Sequence, residues 1–132
     1  MIALDTNIII RFLVRDNEKQ AQLVYRRFKQ AENQRELLFV PLLVILEIIW
    51  VLESLYDLSR GEILESIEEL ILMPIFQFQE YGVIQAFLSS AGQEGIDLSD
   101  LLIAQSAHAN ECRHVLTFDK KASKCQMFQL LK

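Results

Sequence analysis

Two hydrophobic patterns alternate along the chain, and together they predict an alternation of strands and helices. Short, mainly apolar runs are typical of buried strands, whereas apolar residues that recur every three or four positions are typical of amphipathic helices. The predicted strands cover residues 1–4, 37–40, 75–79, 114–118 and 127–130. The predicted helices cover residues 8–14, 18–31, 41–55, 59–72, 81–90 and 99–110.

Capping residues mark where several of these helices begin. Thr6 and Asn7 can turn the chain after the first strand and cap the first helix. Pro41 suits a first helical turn, because its missing N–H has no partner to lose there. Ser59 followed by Glu62 has the spacing of a capping box, in which each side chain binds the backbone N–H of the other residue.

Strands that alternate with helices predict a parallel sheet that is covered by helices on both faces. We therefore expect a three-layer α/β/α fold with a central parallel sheet of about four or five strands. The length of 132 residues suits one domain, residues 1–132. The apolar segment 37–52 is shorter than the roughly 18 residues of a membrane span. It is interrupted by Pro41 and Glu47, so it predicts a buried strand and helix and no membrane contact.

Composition narrows the class of function. The chain is 52% hydrophobic with a formal net charge of -5, whereas proteins that only coat nucleic acid carry a basic excess. A nucleic-acid enzyme that gathers carboxylates around metal ions remains compatible with this charge. Cys112 and Cys125 lack a zinc-binding spacing, and residues 1–7 lack the features of a signal peptide. We therefore expect a cytoplasmic protein with reduced thiols.

Four acidic residues occupy positions where a site is expected. Asp5 and Asp119 directly follow predicted strands, and Asp100 lies near the start of a predicted helix. The carboxyl ends of parallel strands are where open sheets bind ligands. Glu47 lies in the apolar helical sequence VILEIIWVL, and a carboxylate that is buried there must pair, bind a metal or become protonated.

Each acid also has a structural interpretation. Asp5 could cap the next helix, and Asp119 could be a turn residue. Glu47 could form an ion pair with an arginine such as Arg11.

Asp97 and Asp100 lie three residues apart at the start of one predicted helix. One of them could cap the helix while the other faces a metal, since carboxylates are favourable at helix N-termini. We expect Asp100 to be the ligand, and Asp97 to cap the helix or to support the site from outside the ligand set.

Several carboxylates at one edge of a sheet would repel one another in the absence of cations. Hard oxygen ligands favour Mg²⁺ or Mn²⁺ over zinc, and one or two such ions can promote phosphodiester hydrolysis. Other chemistries fit poorly, because the chain has only two histidines and no GxSxG or Gly-rich phosphate loop. An aspartyl-phosphate mechanism needs a second Asp two residues after Asp5, where this chain has Asn7.

Four motifs, in order, resemble those of the PIN-domain family, and specifically VapC-type toxins of toxin–antitoxin pairs. They are LDTNIIIRFL, VILEIIWVL, DLSDLLIAQSA and LTFDKK, and they span almost the whole chain. The resemblance implies a PIN-like fold, Mg²⁺- or Mn²⁺-dependent RNA cleavage, a homodimer and inhibition by an antitoxin protein.

The resemblance also implies roles for individual residues. Asp5, Glu47 and Asp100 would be the principal metal ligands, and Asp119 would bind a second ion directly or through water. The supporting residues that it implies are Asn7, which would orient Asp5 or contact the scissile phosphate, and Thr117, which would support Asp119.

Basic residues beside the motifs are candidates for RNA contacts, namely Arg11, Arg15, Lys120 and Lys121. The alternative is an ordinary solvated surface. A PIN nuclease of RNA processing or DNA repair, a receiver-like signalling domain and a non-catalytic binding protein are the alternative functions.

Overall fold

Helices connect the neighbouring strands in the first part of the chain, as parallel pairing requires. The computed structural model describes residues 1–92 and 95–132. These residues form two units, residues 1–79 (unit 1) and residues 80–132 (unit 2). Each unit is described by itself below.

Unit 1 contains three strands and four helices among the described residues. In chain order they are β1 (Ile2–Ala3), α1 (Thr6–Leu13), α2 (Glu18–Gln34), β2 (Leu38–Val40), α3 (Leu42–Ser54), α4 (Arg60–Ile71) and β3 (Phe76–Phe78). The strands form one sheet in the order β1-β2-β3, and both pairs are parallel. Leu38 of β2 pairs with Ile2 on one side and with Phe76 on the other. All three strands therefore end at the same edge of the sheet. Asp5 lies two residues after the end of β1.

One face of α3 forms much of the core of unit 1. Ile45, Ile48, Ile49 and Leu52 recur at helical spacing, and each has at most 1% of its surface exposed. Burying an aliphatic side chain of this size stabilises the fold by about 1.5–3 kcal/mol. Leu43, on a different face of the same helix, is 73% exposed. The segment 37–52 thus forms a strand and a half-buried helix.

A bidentate ion pair joins the middle of α2 to the chain that enters β2. Arg27 donates to both carboxylate oxygens of Glu36, each at 2.8 Å. The hydrogen bond from Arg27 holds the pKa of Glu36 below its ordinary value. The contribution of this pair to stability is therefore present at neutral pH and is lost as the pH falls through the lowered pKa of Glu36.

Unit 2 begins with two helices and ends with two strands. Its elements are α5 (Tyr81–Ser90), α6 (Leu98–Ala109), β4 (Val115–Thr117), a 3-10 turn (Ala122–Lys124) and β5 (Phe128–Leu130). β4 and β5 are parallel, with Val115 opposite Phe128 and Thr117 opposite Leu130. Asp119 follows the carboxyl end of β4.

The structure confirms the predicted α/β fold with parallel strands, although the described strands form a sheet of three and a pair. The capping box of α4 is present, since Glu62 N–H donates to Ser59 Oγ and Ser59 N–H donates to Glu62. The expected start of the first helix was wrong by two residues, because Asp5 and not Thr6 or Asn7 is the N-cap of α1. Across the described residues, every helix is too short or too polar to cross a membrane.

Removing buried volume from α3 should destabilise the protein strongly. We expect Ile48→Ala to lower the free energy of unfolding by about 2–5 kcal/mol, because it leaves a cavity on the buried side of the helix. Leu43→Ala is the matched control on the exposed side and should change stability by about 0.5 kcal/mol or less. Urea denaturation followed by circular dichroism measures both, and similar losses in the two variants would contradict the assignment of faces.

Candidate active site

Asp5 lies where β1 gives way to α1, and its carboxylate caps that helix. Oδ1 of Asp5 accepts a hydrogen bond from the backbone N–H of Thr6 at 2.8 Å. The predicted structural role of Asp5 is therefore present, and this hydrogen bond uses one of its two oxygens. Asn7 is exposed in the first turn of the same helix, beside Asp5 in sequence.

Thr6 connects this helix start to α3. Its side chain is buried, with 5% exposure, and its Oγ1 donates to Glu47 Oε1 at 2.8 Å. A buried hydroxyl needs a hydrogen-bond partner, and the acceptor here comes from a residue 41 positions later. The bond holds the Glu47 carboxylate beside the start of α1, which Asp5 caps.

Glu47 itself is exposed, so the expectation of a buried carboxylate was wrong. The sequence VILEIIWVL is apolar on every side, but the helix buries only one of its faces. Glu47 lies between Leu43 and Trp50 at helical spacing, and these two side chains are 73% and 59% exposed. Glu47 therefore occupies the solvent-facing stripe of α3.

The alternative ion pair between Glu47 and Arg11 does not form. Arg11 instead contacts Asp16 at 3.3 Å, Gln20 at 2.6 Å and the hydroxyl of Tyr56 at 3.3 Å. Tyr56 donates in turn to Asp16 at 2.7 Å, and this hydrogen bond raises the pKa of Tyr56. Arg11 thus links α1 to Asp16, Gln20 and Tyr56. The Glu47 carboxylate accepts a hydrogen bond from Thr6 instead.

Three acids of unit 2 lie around the start of α6 and the end of β4. Asp97 is at the N-cap position of α6, although its side chain forms no capping hydrogen bond. Asp100 is in the first turn of that helix. Asp119 Oδ1 accepts from the backbone N–H groups of Lys121 at 2.8 Å and Ala122 at 3.2 Å. Asp119 therefore has the predicted turn role, while its second oxygen takes no part in these bonds.

Thr117 lies beside Asp119 as the last residue of β4. Its Oγ1 accepts a hydrogen bond from the backbone N–H of Asp119 at 2.9 Å. This contact fixes the backbone from which the Asp119 side chain projects. It acts on the main chain, and not on the carboxylate itself.

Burial and the charges of Asp97 and Asp119 affect the ionisation of Asp100. Burial raises the pKa of the Asp100 carboxyl above its ordinary value, and the negative charges of Asp97 and Asp119 raise it further. The positive charge of Lys121 lowers the same pKa. Both neighbouring acids thus disfavour the ionised form of Asp100, and a bound cation would favour it.

The basic candidates have different surroundings. Arg15 forms an exposed ion pair with Glu18 at 3.2 Å, and Arg11 is held in the contacts described above. Lys121 forms an ion pair with Asp97 at 3.3 Å. Lys120 is exposed, and its backbone carbonyl accepts a hydrogen bond from Ser123.

The donor set fits a hard divalent cation, since it consists of carboxylates. The hydrogen bonds found among the described residues use one oxygen each of Asp5, Glu47, Asp97 and Asp119. Within either unit, the described residues include no group of three or more acidic, histidine or cysteine side chains that could hold a metal ion alone. Neither unit supplies a complete metal site by itself.

Comparison with known proteins identifies the family. A family model described as PIN domain matches residues 2–126. The chain belongs to the PIN-domain family. A curated relative of this PIN domain, the VapC ribonuclease of Aquifex aeolicus (strain VF5), is 26% identical to it over 124 residues. The alignment covers 94% of this chain and 91% of the relative.

Two residues of the PIN domain have contacts that the sequence did not reveal. Thr6 was expected to cap a helix, yet it binds a glutamate from a distant helix. Lys121 was expected to contact RNA, yet it pairs with Asp97. Both residues directly neighbour a motif acid or its turn, which was the available sequence signal.

A double-mutant cycle tests the bond between Thr6 and Glu47. Thr6→Val and Glu47→Ala should each destabilise the PIN domain, and the double variant should lose about 1 kcal/mol less than the sum, because the hydrogen bond is lost only once. Urea denaturation of the four proteins in EDTA measures this coupling energy. Strictly additive losses would show that the two side chains do not interact in solution.

Neutralising Asp100 should stabilise the cation-free protein. The raised pKa means that the folded state disfavours the ionised form, a penalty that is present at neutral pH and relieved as the pH falls through the folded-state pKa. We expect Asp100→Asn to raise the free energy of unfolding in EDTA by about 0.5 kcal/mol at pH 7, with a smaller difference at pH 4.

Glu65→Gln is the control for this comparison, because it removes one exposed negative charge from α4. Thermal or urea denaturation at both pH values measures the effect. An Asp100→Asn protein that is less stable than the wild type in EDTA at pH 7 would contradict the repulsion described here.

Proposed function

We propose that this PIN domain, residues 1–132, is a metal-dependent endoribonuclease and the toxin of a toxin–antitoxin pair. The observation that carries the proposal is the position of three motif acids, Asp5, Asp100 and Asp119, at strand ends and helix starts in a chain of this family. The fourth, Glu47, lies within α3 and is bound by Thr6. The similarity to a VapC ribonuclease supports RNA as the substrate. The rise in the pKa of Asp100, caused by burial and by two neighbouring acids, supports a site that is built for a cation.

The proposed cation ligands are Asp5, Glu47 and Asp100, with Asp119 as a further ligand, directly or through water. Bound Mg²⁺ or Mn²⁺ would supply charge stabilisation and an activated water for phosphodiester hydrolysis.

The chain's own residues hold these ligands in place. The Thr6 hydroxyl holds one oxygen of Glu47 and leaves the other for a ligand. Thr117 and the turn after Asp119 fix the backbone and one oxygen of that residue. We propose that Asn7 orients Asp5 or contacts the scissile phosphate, and that Asp97 supports the site through Lys121.

An acidic chain must bind RNA through local groups, because its overall field repels phosphate. Lys120 is exposed directly after Asp119, and Arg15 is exposed after α1. Lys120 and Arg15, with Lys121 and Arg11, are the proposed phosphate contacts. Arg11 is paired with Asp16 and Arg15 with Glu18, so both guanidinium groups must change partners to bind phosphate.

We propose that the protein acts in the cytoplasm, forms a homodimer and is inhibited by a cognate antitoxin protein. The stripe of α3 that exposes Leu43 and Trp50 supports a protein–protein contact, since large exposed apolar groups favour association. A PIN nuclease of RNA processing or DNA repair would share the chemistry. Membership of the PIN family leaves the receiver-like alternative without support.

Cleavage of labelled RNA tests the proposed activity. We expect cleavage with Mg²⁺ or Mn²⁺ and none with EDTA. Asp5→Asn and Asp100→Asn should each reduce the rate by about 100-fold or more, because several kcal/mol of charge stabilisation is lost. Glu65→Gln, which removes a charge from α4, should cleave like the wild type.

The outcomes separate the alternatives. Cleavage that persists in both Asp→Asn variants would contradict the carboxylate site, and cleavage of DNA but not RNA would favour a DNA repair nuclease. Expression of the wild type alone should arrest growth, and Asp5→Asn should relieve that arrest. A folded, RNA-cleaving protein that leaves growth unaffected would favour RNA processing over a toxin.

A further inference from the structure

Lys121 brings a positive charge into the acidic group formed by Asp97, Asp100 and Asp119. Its Nζ atom lies 3.3 Å from Asp97 Oδ1. Its backbone N–H donates to Asp119 Oδ1 at 2.8 Å. Asp100 lies in the first turn of α6, whose N-cap is Asp97. This single residue therefore contacts two of the three acids.

The backbone and the side chain of Lys121 are held very differently. The backbone is fixed at the start of the 3-10 turn by the bond to Asp119. The side chains of Lys121 and Asp97 are 63% and 54% exposed, and exposed ion pairs are weak and readily exchanged. The ammonium group can therefore leave the acids while the turn that carries it stays in place.

Lys120 provides an internal comparison. It is adjacent in sequence and also exposed, but among the described residues its side chain forms no ion pair with the acidic group. The contact found for Lys120 is made by its backbone carbonyl, which accepts from Ser123 Oγ at 2.7 Å. The two lysines thus carry the same charge with different access to the acids.

We propose that Lys121 is the resident counter-ion of the acidic group, and that its ammonium must be displaced from Asp97 before a divalent cation binds. The inference rests on the proposed function, since it concerns the cation of that site. It makes Lys121 a residue that limits cation affinity and stabilises the cation-free protein, in addition to any contact with substrate phosphate.

Removing the charge of Lys121 should have opposite effects on cation affinity and on stability. Lys121→Met should bind Mn²⁺ roughly two- to fivefold more tightly than the wild type, because the divalent cation no longer competes with an exposed ion pair. In EDTA its melting temperature should fall by about 1–3 °C, because the three acids lose their counter-ion. Isothermal titration with MnCl₂ and thermal denaturation measure the two effects.

Two further variants make the comparison specific. Lys120→Met removes the same charge one residue away and should change Mn²⁺ affinity by less than roughly 1.5-fold at 0.15 M salt, where charges are screened beyond about 8 Å. Lys121→Arg keeps the charge and should restore the affinity and melting temperature of the wild type. This rescue would separate a role of the charge from a role in packing.

Equal gains in Mn²⁺ affinity for the two Lys→Met variants, or no gain in Lys121→Met, would overturn the proposal. Absence of Mn²⁺ binding by the wild type would contradict the proposed function instead. The melting temperatures in EDTA would then test whether Lys121 is a counter-ion. A melting temperature that falls in Lys121→Met but not in Lys120→Met would support this role. Equal melting temperatures for the wild type and Lys121→Met would overturn it.

Discussion

Repulsion between ionised carboxylates is the constraint on which the acidic positions of this PIN domain depend. In unit 2, burial and the charges of Asp97 and Asp119 raise the pKa of Asp100. A charge that is left without compensation disfavours folding. The surroundings of these three acids in unit 2, and of Asp5 and Glu47 in unit 1, show how each unit compensates its own carboxylates.

The two units meet this constraint with different groups. Unit 1 uses neutral hydrogen bonds, since Asp5 accepts from a helix N–H and Glu47 accepts from the Thr6 hydroxyl. Unit 2 uses the backbone N–H groups of a turn for Asp119 and a lysine for Asp97. Burial and the charges of Asp97 and Asp119 raise the pKa of Asp100. A cation bound at this acid would favour its ionised form.

Local chemistry explains what could be predicted from the sequence. The capping box of Ser59 and Glu62 and the core face of α3 follow from spacing within one helix, and the structure contains both. The parallel strands follow from the alternation of strands and helices. The sequence offered both Asp5 and Thr6 as caps of the first helix. Because Asp5 is the N-cap, α1 begins at Thr6, two residues earlier than predicted.

The remaining features depend on contacts between distant residues. The exposure of Glu47 could not be read from VILEIIWVL, because an all-apolar sequence does not indicate which side of a helix faces solvent. The same holds for its bond to Thr6, 41 residues away, and for the pairing of Lys121 with Asp97, 24 residues away. In each case the partner of a side chain at the candidate site is determined by the packing of elements that are distant in sequence.

The most direct test of the proposed cation site is anomalous diffraction from crystals of the protein soaked in MnCl₂. The account predicts one anomalous peak, or two close together, in contact with carboxylate oxygens of the proposed ligands Asp5, Glu47 and Asp100. A Mn²⁺ ion that is bound elsewhere on the molecule would contradict it.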